Sequence, residues 1–519
     1  MTETSRSENS SQNQPHTDVV EAVPYPEAEP LIGRQTELEL LLDSLESARR
    51  GGGELAIIRA SSGCGKSRLL QEITSAAQAK GFLCLAGNER AQAGDNPLPG
   101  LCEIVDQLIS YLEQDDSFLD NFRSQSKSDI PLVLALFPNL ARALHLAPPT
   151  NVGPEHLFQQ RAVQSLVRIL CRLGSEQNPV IICLDDCQWS DAVTQSMIAQ
   201  WQQYQKKSSY TVLAVAYRSD ELPNGSQLNS IQSKATVDLQ PFSQDQIEQF
   251  VSSYLGQAAA AVPKVLMHMT GGNPFLVSCT IRGFIEAKVL ELRNGSWQLV
   301  TDEEKHEDDT DDLDPIKLRF DLLPPKVRQV LKIASVIGKR FSSQAIATIL
   351  ERSSSETMTM LVEAERKHML HRGNEGDSFE FVHDKLRETL LEMLPETERL
   401  AIHLHIARYL QQFHIDPYAI AFHLIQAKLQ HEAVPYALTA ANESRKRYAL
   451  DAAREYYQFC LEHIAEVSAS QQFEVHYGFG VVLSLIGQYQ LAHPQLQESM
   501  KLCDDVLELA DIRGQLGEI

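Results

Sequence analysis

The sequence has no apolar stretch of the roughly 20 residues that a membrane-spanning helix needs. Its longest apolar runs, such as VIICL and TVLAVAY, have the length of buried strands. Its nine cysteines include no C-x-x-C pair, which argues against a zinc site and against a secreted disulfide framework. Basic residues number 46 against 69 acidic ones, a formal net charge of −23, which disfavours nonspecific nucleic-acid binding. We therefore expect a cytoplasmic protein with reduced thiols and no membrane association.

A chain of 519 residues is too long for a single core and should form about three or four domains. Residues 1–30 are rich in Ser, Asn, Gln, Glu and Pro without an apolar core, so we expect a disordered tail that is neither signal peptide nor anchor. In residues 31–242, short apolar strands alternate with helical patterns. This alternation predicts an α/β domain with a parallel sheet that helices cover on both faces.

The sequence patterns in residues 243–519 predict mostly helical modules. Residues 243–301 predict a small helical lid, and residues 302–314 carry nine acidic residues against one lysine, as a solvated linker does. Residues 315–395 show three helical patterns and a possible hairpin, compatible with a winged helix. Residues 396–519 look helical throughout.

Two segments near the C-terminus repeat at a period of 39 residues. Leu450, Ala453 and Tyr457 align with Tyr489, Ala492 and Leu496. Small residues beside large ones at this spacing favour stacked helical hairpins of the tetratricopeptide type. Because such arrays need polar caps and none is evident, we expect that a C-terminal portion is missing.

The strongest chemical signal lies between Glu54 and Leu70, in ELAIIRASSGCGKSRLL. An apolar strand, a glycine-bearing loop and a helix follow one another, which is the context of a phosphate-binding loop. Lys66 would reach the β- and γ-phosphates of ATP or ADP, and the Ser67 hydroxyl would bind Mg²⁺. The alternative is a chance Gly-Lys-Ser in a surface loop.

One residue departs from the G-x-x-x-x-G-K-[ST] pattern. Ala60 occupies the position of the first glycine, whereas Gly63 and Gly65 remain in the loop. A methyl group penalises the left-handed region, so Ala60 fits only if its φ is negative. Nucleotide affinity could be weakened by this substitution.

A second apolar strand, Ile181 to Leu184, ends in Asp185 and Asp186. A buried parallel strand delivers carboxylates from its C-terminal end to the magnesium beside the loop. We expect Asp185 to bind Mg²⁺, through water, and Asp186 to orient or deprotonate the attacking water. Arg218 follows the next strand, where a γ-phosphate sensor would lie. Taken singly, the acidic pair also fits any turn after a strand, and the arginine fits a surface position.

Several motifs together resemble a known family. In order they are Ile32-Gly33-Arg34, GCGKS, LDDCQWSD (184–191), AYRSDEL (216–222), TGGNPFLV (270–277) and FEFVHDKLRE (379–388). They look like the signal-transduction ATPases with numerous domains (STAND), in the MalT-like group of AAA-type ATPases. In that group a P-loop ATPase module precedes a winged helix and helical repeats. The resemblance covers about residues 31 to 500.

The resemblance implies roles for residues outside the loop. Gly33 and Arg34 would border the adenine, Pro274 would pack on it from the lid, Arg218 would sense the γ-phosphate, and His383 would touch the ADP phosphates in a resting state. From the residues alone, His383 also fits a structural role and Pro274 a helix start. The candidate nucleotide-contacting set is Ile32, Gly33, Arg34, Gly63, Cys64, Gly65, Lys66, Ser67, Arg68, Pro274 and His383.

Three functions remain open at this point. The first is an ATP/ADP-dependent switch with slow hydrolysis, in which the repeats read a protein partner or small-molecule inducer and control exchange and homo-oligomerisation. The second is an ATPase that acts on nucleic acid or remodels a partner, although the net charge argues against it. The third is a scaffold with an inactive nucleotide site, which the retained Lys66, Ser67, Asp185 and Asp186 oppose.

Overall fold

The computed structural model describes residues 31–90, 97–147, 155–204, 209–300, 314–373, 376–466, 468–503 and 505–518. The predicted tail, residues 1–30, and nearly all of the predicted acidic linker, residues 302–313, lie outside the described residues. No helix within these described ranges is long and apolar enough to cross a bilayer. All nine cysteines are free thiols.

The N-terminal domain is built on a five-stranded parallel sheet in the order β2-β3-β4-β1-β5. Its strands are β1 (Gly52–Ala60), β2 (Leu83–Asn88), β3 (Val180–Asp185), β4 (Ser209–Arg218) and β5 (Ala235–Asp238). Its helices are α1 (Gln35–Arg49), α2 (Lys66–Ala79), α3 (Pro99–Leu112), α4 (Asp116–Ser126), α5 (Ile130–Leu136), α6 (Asn139–Ala143), α7 (Glu155–Cys171) and α8 (Ala192–Tyr204).

Alternate residues of each strand face two separate cores, as the pleat requires. In β1, Leu55 and Ile57 join the larger core with α3, α7 and α8, whereas Ala56 and Ile58 join the smaller one with α1 and α2. The sheet is therefore covered on both faces, and the predicted α/β class is confirmed.

Two elements of this domain were not predicted. The polar segment from Asp115 to Asp129 contains α4, which the Asp115 side chain caps by accepting hydrogen bonds from two backbone N–H groups. Phe118 and Phe122 give this helix a buried face despite its polar composition. The short edge strand β5 was also not predicted, because its four residues carry little pattern.

Residues 243–300 contain α9 (Gln244–Leu255), α10 (Ala261–Thr270) and α11 (Pro274–Glu286), followed by a hairpin of β6 (Leu290–Arg293) and β7 (Ser296–Leu299). The hairpin departs from the expectation of helices alone. Its two-residue turn, Asn294-Gly295, has positive φ at both positions, as a type I′ turn requires. The Asn-Gly dipeptide is the sequence feature from which this hairpin could have been predicted.

Residues 314–394 combine helices with a small antiparallel sheet, and we call them the three-stranded module. The sheet has the order β8-β10-β9, and the predicted hairpin is present as β9 and β10. The elements are α12 (Pro315–Asp321), α13 (Pro325–Ile337), β8 (Arg340–Ser342), α14 (Ser343–Ile349), α15 (Ser354–Arg366), β9 (Leu370–Arg372), β10 (Ser378–Phe381) and α16 (Asp384–Glu392).

The C-terminal part consists of helices that pack on their chain neighbours. They are α17 (Glu396–Gln412), α18 (Pro417–Gln426), α19 (Gln430–Lys446), α20 (Leu450–Glu462), α21 (Ala469–Leu485), α22 (Tyr489–Leu502) and α23 (Val506–Glu518). Of the six repeated positions, Leu450 and Tyr489 differ, because Leu450 is buried and Tyr489 is 49% exposed. The other four positions are fully buried: Ala453, Tyr457, Ala492 and Leu496. Gly478 and Gly480 let α21 approach Tyr457 and Leu496, since a methyl group at either glycine would lie within 3 Å of those side chains.

Candidate nucleotide-binding site

The loop after β1 has the geometry of an anion cradle. Gly63 and Gly65 adopt positive φ values of 81° and 97°, which glycine accepts without strain. Ala60 ends β1 and is not among the positive-φ residues, so its methyl group is tolerated at the first glycine position. Helix α2 begins at Lys66 with no side-chain cap, and its first N–H groups therefore remain available to a phosphate.

Lys66 lies under this loop and is 6% exposed. Its Nζ donates hydrogen bonds to the carbonyl oxygens of Ala60 at 3.1 Å and Ser61 at 2.9 Å. Burial, and then the charge of Arg218, lower the pKa of Lys66. A phosphate bound in the loop would supply the negative charge that this buried ammonium lacks.

The two carboxylates after β3 lie beside the loop. Burial, and then repulsion from Asp186, raise the pKa of Asp185 to about 6, while a hydrogen bond with Ser67 opposes the shift. A half-buried carboxylate, Asp185, and a buried one, Asp186, next to a hydroxyl are a suitable donor set for Mg²⁺. Across the described ranges no group of three or more His, Cys, Asp or Glu residues could hold a metal without help. Ser67 and Asp185 would therefore bind Mg²⁺ together with nucleotide phosphates.

Arg218, the last residue of β4, is 3% exposed and has ionic contacts to two domains. Its Nε lies 3.7 Å from Asp186 Oδ1, and its Nη2 donates to Asp384 Oδ2 of the three-stranded module at 3.0 Å. Its guanidinium carbon also lies 4.7 Å from the centre of the Trp189 ring. Burial alone would lower the pKa of Arg218, but a hydrogen bond to Glu221 and the surrounding carboxylates raise it.

Lys339, whose side chain is 34% exposed, adds a second cation to this group. Its Nζ lies 3.6 Å from Asp186 Oδ2 and 3.4 Å from Asp384 Oδ2. Arg218 and Lys339 thus share two carboxylates, one from each domain. We call Arg218, Lys339, Asp186 and Asp384 the bridging charge cluster.

The GGNPF segment touches the phosphate loop directly. The Asn273 Nδ2 donates to the Ser62 carbonyl at 2.8 Å, and the Phe275 N–H donates to the Gly63 carbonyl at 3.2 Å. The Asn273 Oδ1 also accepts from the Leu276 N–H and so caps helix α11. The start of α11 and the loop are consequently held together. Pro274 lies between these two contacts and lines a cavity next to the phosphate loop.

His383 lies across the cavity, in the three-stranded module. Its ring stacks on Phe275 with the centroids 3.9 Å apart, and its Nδ1 accepts the Lys385 N–H at 3.0 Å, which caps α16. Burial, and then the charges of Arg218 and Lys339, lower its pKa to about 3. The imidazole is therefore neutral near pH 7 with its proton on Nε2, where it can donate to a phosphate oxygen.

The remaining candidates fall into two groups. Arg34 is buried, donates to the Gln240 carbonyl and lies 5.5 Å from the Phe242 ring centre, while Gly33 accepts from the Gln246 side chain at 3.2 Å. This segment therefore ties the start of the domain to the beginning of α9. In contrast, Cys64 is buried in the smaller core, and Arg68 pairs on the helix surface with Glu72 at 2.6 Å.

One cavity of about 840 Å³ joins nearly all predicted residues. Of the predicted set, Gly33 does not line it, although its neighbours Ile32 and Arg34 do. The predicted residues that line it are Ile32, Arg34, Gly63, Cys64, Gly65, Lys66, Ser67, Arg68, Asp185, Asp186, Arg218, Pro274 and His383.

Sequence reasoning missed Lys339, Asp384 and Glu89. Lys339 and Asp384 gain meaning only from contacts across the chain, although Asp384 stands beside His383 in the quoted motif. Glu89 follows β2, next to the strand that ends at Asp185, and its N–H donates to the Asp185 carbonyl at 3.0 Å. Burial, and then the charge of Asp191, raise the pKa of Glu89 to about 8. Its position after a strand adjacent to β3 was the available signal.

Comparison with known proteins agrees with this geometry. Residues 30–213 match the sequence model of the AAA ATPase domain. The chain carries an AAA ATPase domain. The match includes the phosphate loop and both aspartates after β3, so the predicted P-loop ATPase core is confirmed, and domains of this family bind nucleotide.

An uncharacterized protein of Rhizobium meliloti (strain 1021) is 22% identical over 469 residues, which are 86% of this chain and 44% of that protein. The chain thus spans less than half the length of this curated relative.

Among solved structures, a STAND protein with a tetratricopeptide repeat sensor from Pyrococcus horikoshii is 14% identical, with a TM-score of 0.40, covering 95% of this chain and 75% of that one. The Aeropyrum pernix ORC1 protein in complex with DNA is 15% identical, with a TM-score of 0.31 and coverages of 72% and 95%. Thermotoga maritima RuvB is 15% identical, with a TM-score of 0.29 and coverages of 70% and 96%.

Replacing Lys66 tests the site most simply. Lys66→Ala removes the buried ammonium that faces the phosphates, a loss of about 3 kcal/mol or more, so ATP and ADP binding should disappear at micromolar concentrations. Isothermal titration calorimetry measures this. The control is Lys80→Ala, which removes a lysine from the far end of α2 and should bind nucleotide normally. Intact binding by Lys66→Ala would refute the site.

Glu89 gives a pH-dependent prediction. Its folded-state pKa of about 8 exceeds the unfolded value, so the folded protein retains a proton that the unfolded chain releases. Stability should therefore fall as pH rises from about 5 to 8. Glu89→Gln should flatten that slope in thermal unfolding of the nucleotide-free protein, while the exposed control Glu113→Gln should not. Equal slopes for Glu89→Gln and the parent would contradict the assignment.

Proposed function

We propose that this protein is an ATP/ADP-dependent regulatory switch with slow ATP hydrolysis. The observation that carries the proposal is Arg218. A single buried guanidinium beside the phosphate loop contacts Asp186 of the ATPase domain and Asp384 of the three-stranded module. Any nucleotide-dependent change at Arg218 would therefore alter the attachment of that module.

ATP and ADP would affect the bridging charge cluster differently. The γ-phosphate of ATP is anionic and would compete with Asp384 for Arg218, since arginine binds phosphate and carboxylate oxygens alike. ADP lacks this group and would leave the cluster intact. Because a ligand shifts a conformational equilibrium only through its differential affinity, this competition supplies the difference that a switch needs.

Hydrolysis would use residues at the end of β3. Asp186 would orient or deprotonate the attacking water, Lys66 would hold the β- and γ-phosphates, and Arg218 would stabilise the γ-phosphate charge. Mg²⁺ on Ser67 and Asp185 would supply electrostatic stabilisation. In the closed arrangement Asp186 already accepts from Gln188 at 2.9 Å and faces two cations. A base engaged in this way favours low turnover until the module moves.

The lid and the module would add two contacts that favour ADP. The Nε2 proton of His383 can be donated to a phosphate oxygen, and Pro274 and Arg34 line the cavity that would receive the base. The stacking of His383 on Phe275 connects the module to the lid. Opening would break this contact together with the charge cluster.

The C-terminal helices would supply the signal. By the proposal they bind a protein partner or small-molecule inducer, and the opened protein forms a nucleotide-dependent homo-oligomer. We place this activity in the cytoplasm. The lid, the winged-helix and the repeat assignments for residues 243–301, 315–395 and 396–519 belong to the same proposal.

Action on nucleic acid is less well supported, because cations of the three-stranded module are already engaged. Arg319 is almost fully buried, Lys332 pairs with Glu398 at 3.0 Å, and Arg340 pairs with Glu380 at 2.5 Å. These residues would have to exchange carboxylates for phosphates. An inactive scaffold is opposed by the proximity of Lys66, Asp185 and Asp186 in one cavity.

Asp186→Asn separates binding from chemistry. The amide keeps the shape of the side chain but cannot accept a proton, so nucleotide affinity should persist while ATP turnover falls by about 100-fold or more. Phosphate release measures turnover, and Asp220→Asn, an exposed position just after β4, is the control. Unchanged turnover would remove Asp186 from the mechanism.

Asp384→Asn tests the switch itself. The substitution takes one anion from the bridging charge cluster, so opening no longer separates a module carboxylate from Arg218 of the ATPase domain. Release of a fluorescent ADP analogue should accelerate by about tenfold, which corresponds to 1.4 kcal/mol of lost coupling. Stopped-flow fluorescence gives the rate. Asp321→Asn, an exposed position of the same module, should behave as the parent; an unchanged rate in Asp384→Asn would contradict the switch.

A further inference from the structure

A second cavity, of about 300 Å³, lies between the ATPase domain and the C-terminal helices. One wall comes from the segments before α3 and α8, including Leu98 and Trp189. The other wall comes from α18 and α20 and from the turn before α20. Neither the phosphate loop nor any of the predicted nucleotide-contacting residues lines it.

The two walls are joined by a direct contact between domains. The Tyr448 ring stacks on the fully buried Phe158 of α7, with the centroids 3.7 Å apart and the planes inclined by 26°. Tyr448 has a φ of +56°, an unfavourable value for a tyrosine, in the turn between α19 and α20. This stacking holds the turn between α19 and α20 against the ATPase domain.

The lining has the chemistry of a site for an organic cation. Five aromatic side chains line the cavity: Trp189, Phe422, Tyr448, Tyr456 and Phe459. Aromatic faces attract ammonium groups, most strongly where water is excluded.

Carboxylates add charge complementarity. Asp451 and Glu455 line the cavity one turn apart on α20, and neither forms an ion pair with another described residue. Arg90 also lines the cavity, but its guanidinium is paired with Glu103. Asp191 is used differently, since its carboxylate accepts the N–H groups of Val193 and Thr194. Among the described residues that line the cavity, the charges without an ion-pair partner are therefore negative.

Trp189 connects this cavity with the nucleotide site, because it lines both. Its ring lies under the Arg218 guanidinium at 4.7 Å. An occupant that packs on Trp189 is thus one side chain away from the bridging charge cluster.

We propose that this cavity is a regulatory site for a small aromatic or alkyl amine, which bridges the ATPase domain and helix α20 and slows nucleotide release. The proposed slowing of nucleotide release follows from the position of the cavity between two domains. An occupant would lose its contacts with one wall if the C-terminal helices left the ATPase domain. It must therefore stabilise the closed arrangement. The effect on release, though not the cation site, rests on the function proposed above.

The binding test uses 2-phenylethylamine, with 2-phenylethanol and 3-phenylpropionate as neutral and anionic probes of similar size. Isothermal titration calorimetry on the full chain should show binding of the amine and at least about tenfold weaker binding of the other two. The double variant Asp451→Asn, Glu455→Gln should lose about tenfold in amine affinity. The control Glu462→Gln, on the same helix but outside the cavity lining, should bind as the parent does. No amine binding up to millimolar concentration, equal binding of the three probes, or undiminished binding by the double variant would overturn the site.

The effect of the amine on nucleotide release needs a separate measurement. At an amine concentration ten times its Kd, release of the fluorescent ADP analogue should slow by up to about tenfold in the parent. The double variant, with its roughly tenfold weaker affinity, should show at most about twofold slowing at that same concentration. Unchanged release from amine-saturated parent protein would overturn the coupling through Trp189. Amine binding by a protein that binds no nucleotide would overturn the switch and leave the cation site supported.

Discussion

The contact between the ATPase domain and the three-stranded module centres on a buried guanidinium that pairs with carboxylates of both. Removing one partner from a buried ion pair typically costs about 3–5 kcal/mol, because the remaining charge stays desolvated. Arg218 is almost fully buried and lies between Asp186 and Asp384, with Lys339 bridging the same two carboxylates. If the module moved away, Arg218 would keep Asp186 and Glu221 as partners but would lose Asp384 unless another anion took its place. A nucleotide γ-phosphate is an anion of that kind, and the phosphate loop would hold it on the same side of the sheet.

The start of helix α11 imposes a second constraint on the same loop. Asn273 and Phe275 bind carbonyl groups of Ser62 and Gly63, so the start of α11 moves with the loop that holds the phosphates. Phe275 in turn stacks on His383. The phosphate loop, the start of α11 and the three-stranded module therefore meet around one cavity. This connectivity suits a protein in which hydrolysis serves regulation.

The parts of the site that were predictable from sequence are those fixed by local geometry. A strand, a glycine loop and a helix that opens with Lys66 specify the phosphate loop, and an apolar strand that ends in Asp185 delivers carboxylates to the same edge of the sheet. Lys339 and Asp384 could not be found in this way, because the ATPase-domain residues that they contact, Asp186 and Arg218, lie more than 100 residues away and no periodicity reports such a contact. The hairpin at Asn294-Gly295 had a readable turn signal, whereas the four residues of β5 carried too little pattern. The helix after Asp115 was missed because capping and three apolar residues outweighed a polar composition.

The most direct test of coupling between nucleotide and domain arrangement is the hydrodynamic radius, measured together with bound nucleotide. Protein loaded with ADP should be compact and monomeric, because the bridging charge cluster is intact. Protein loaded with a non-hydrolysable ATP analogue should be expanded or assembled into oligomers, since the γ-phosphate competes for Arg218. An identical radius in the two states, with both nucleotides shown to be bound, would contradict the coupling.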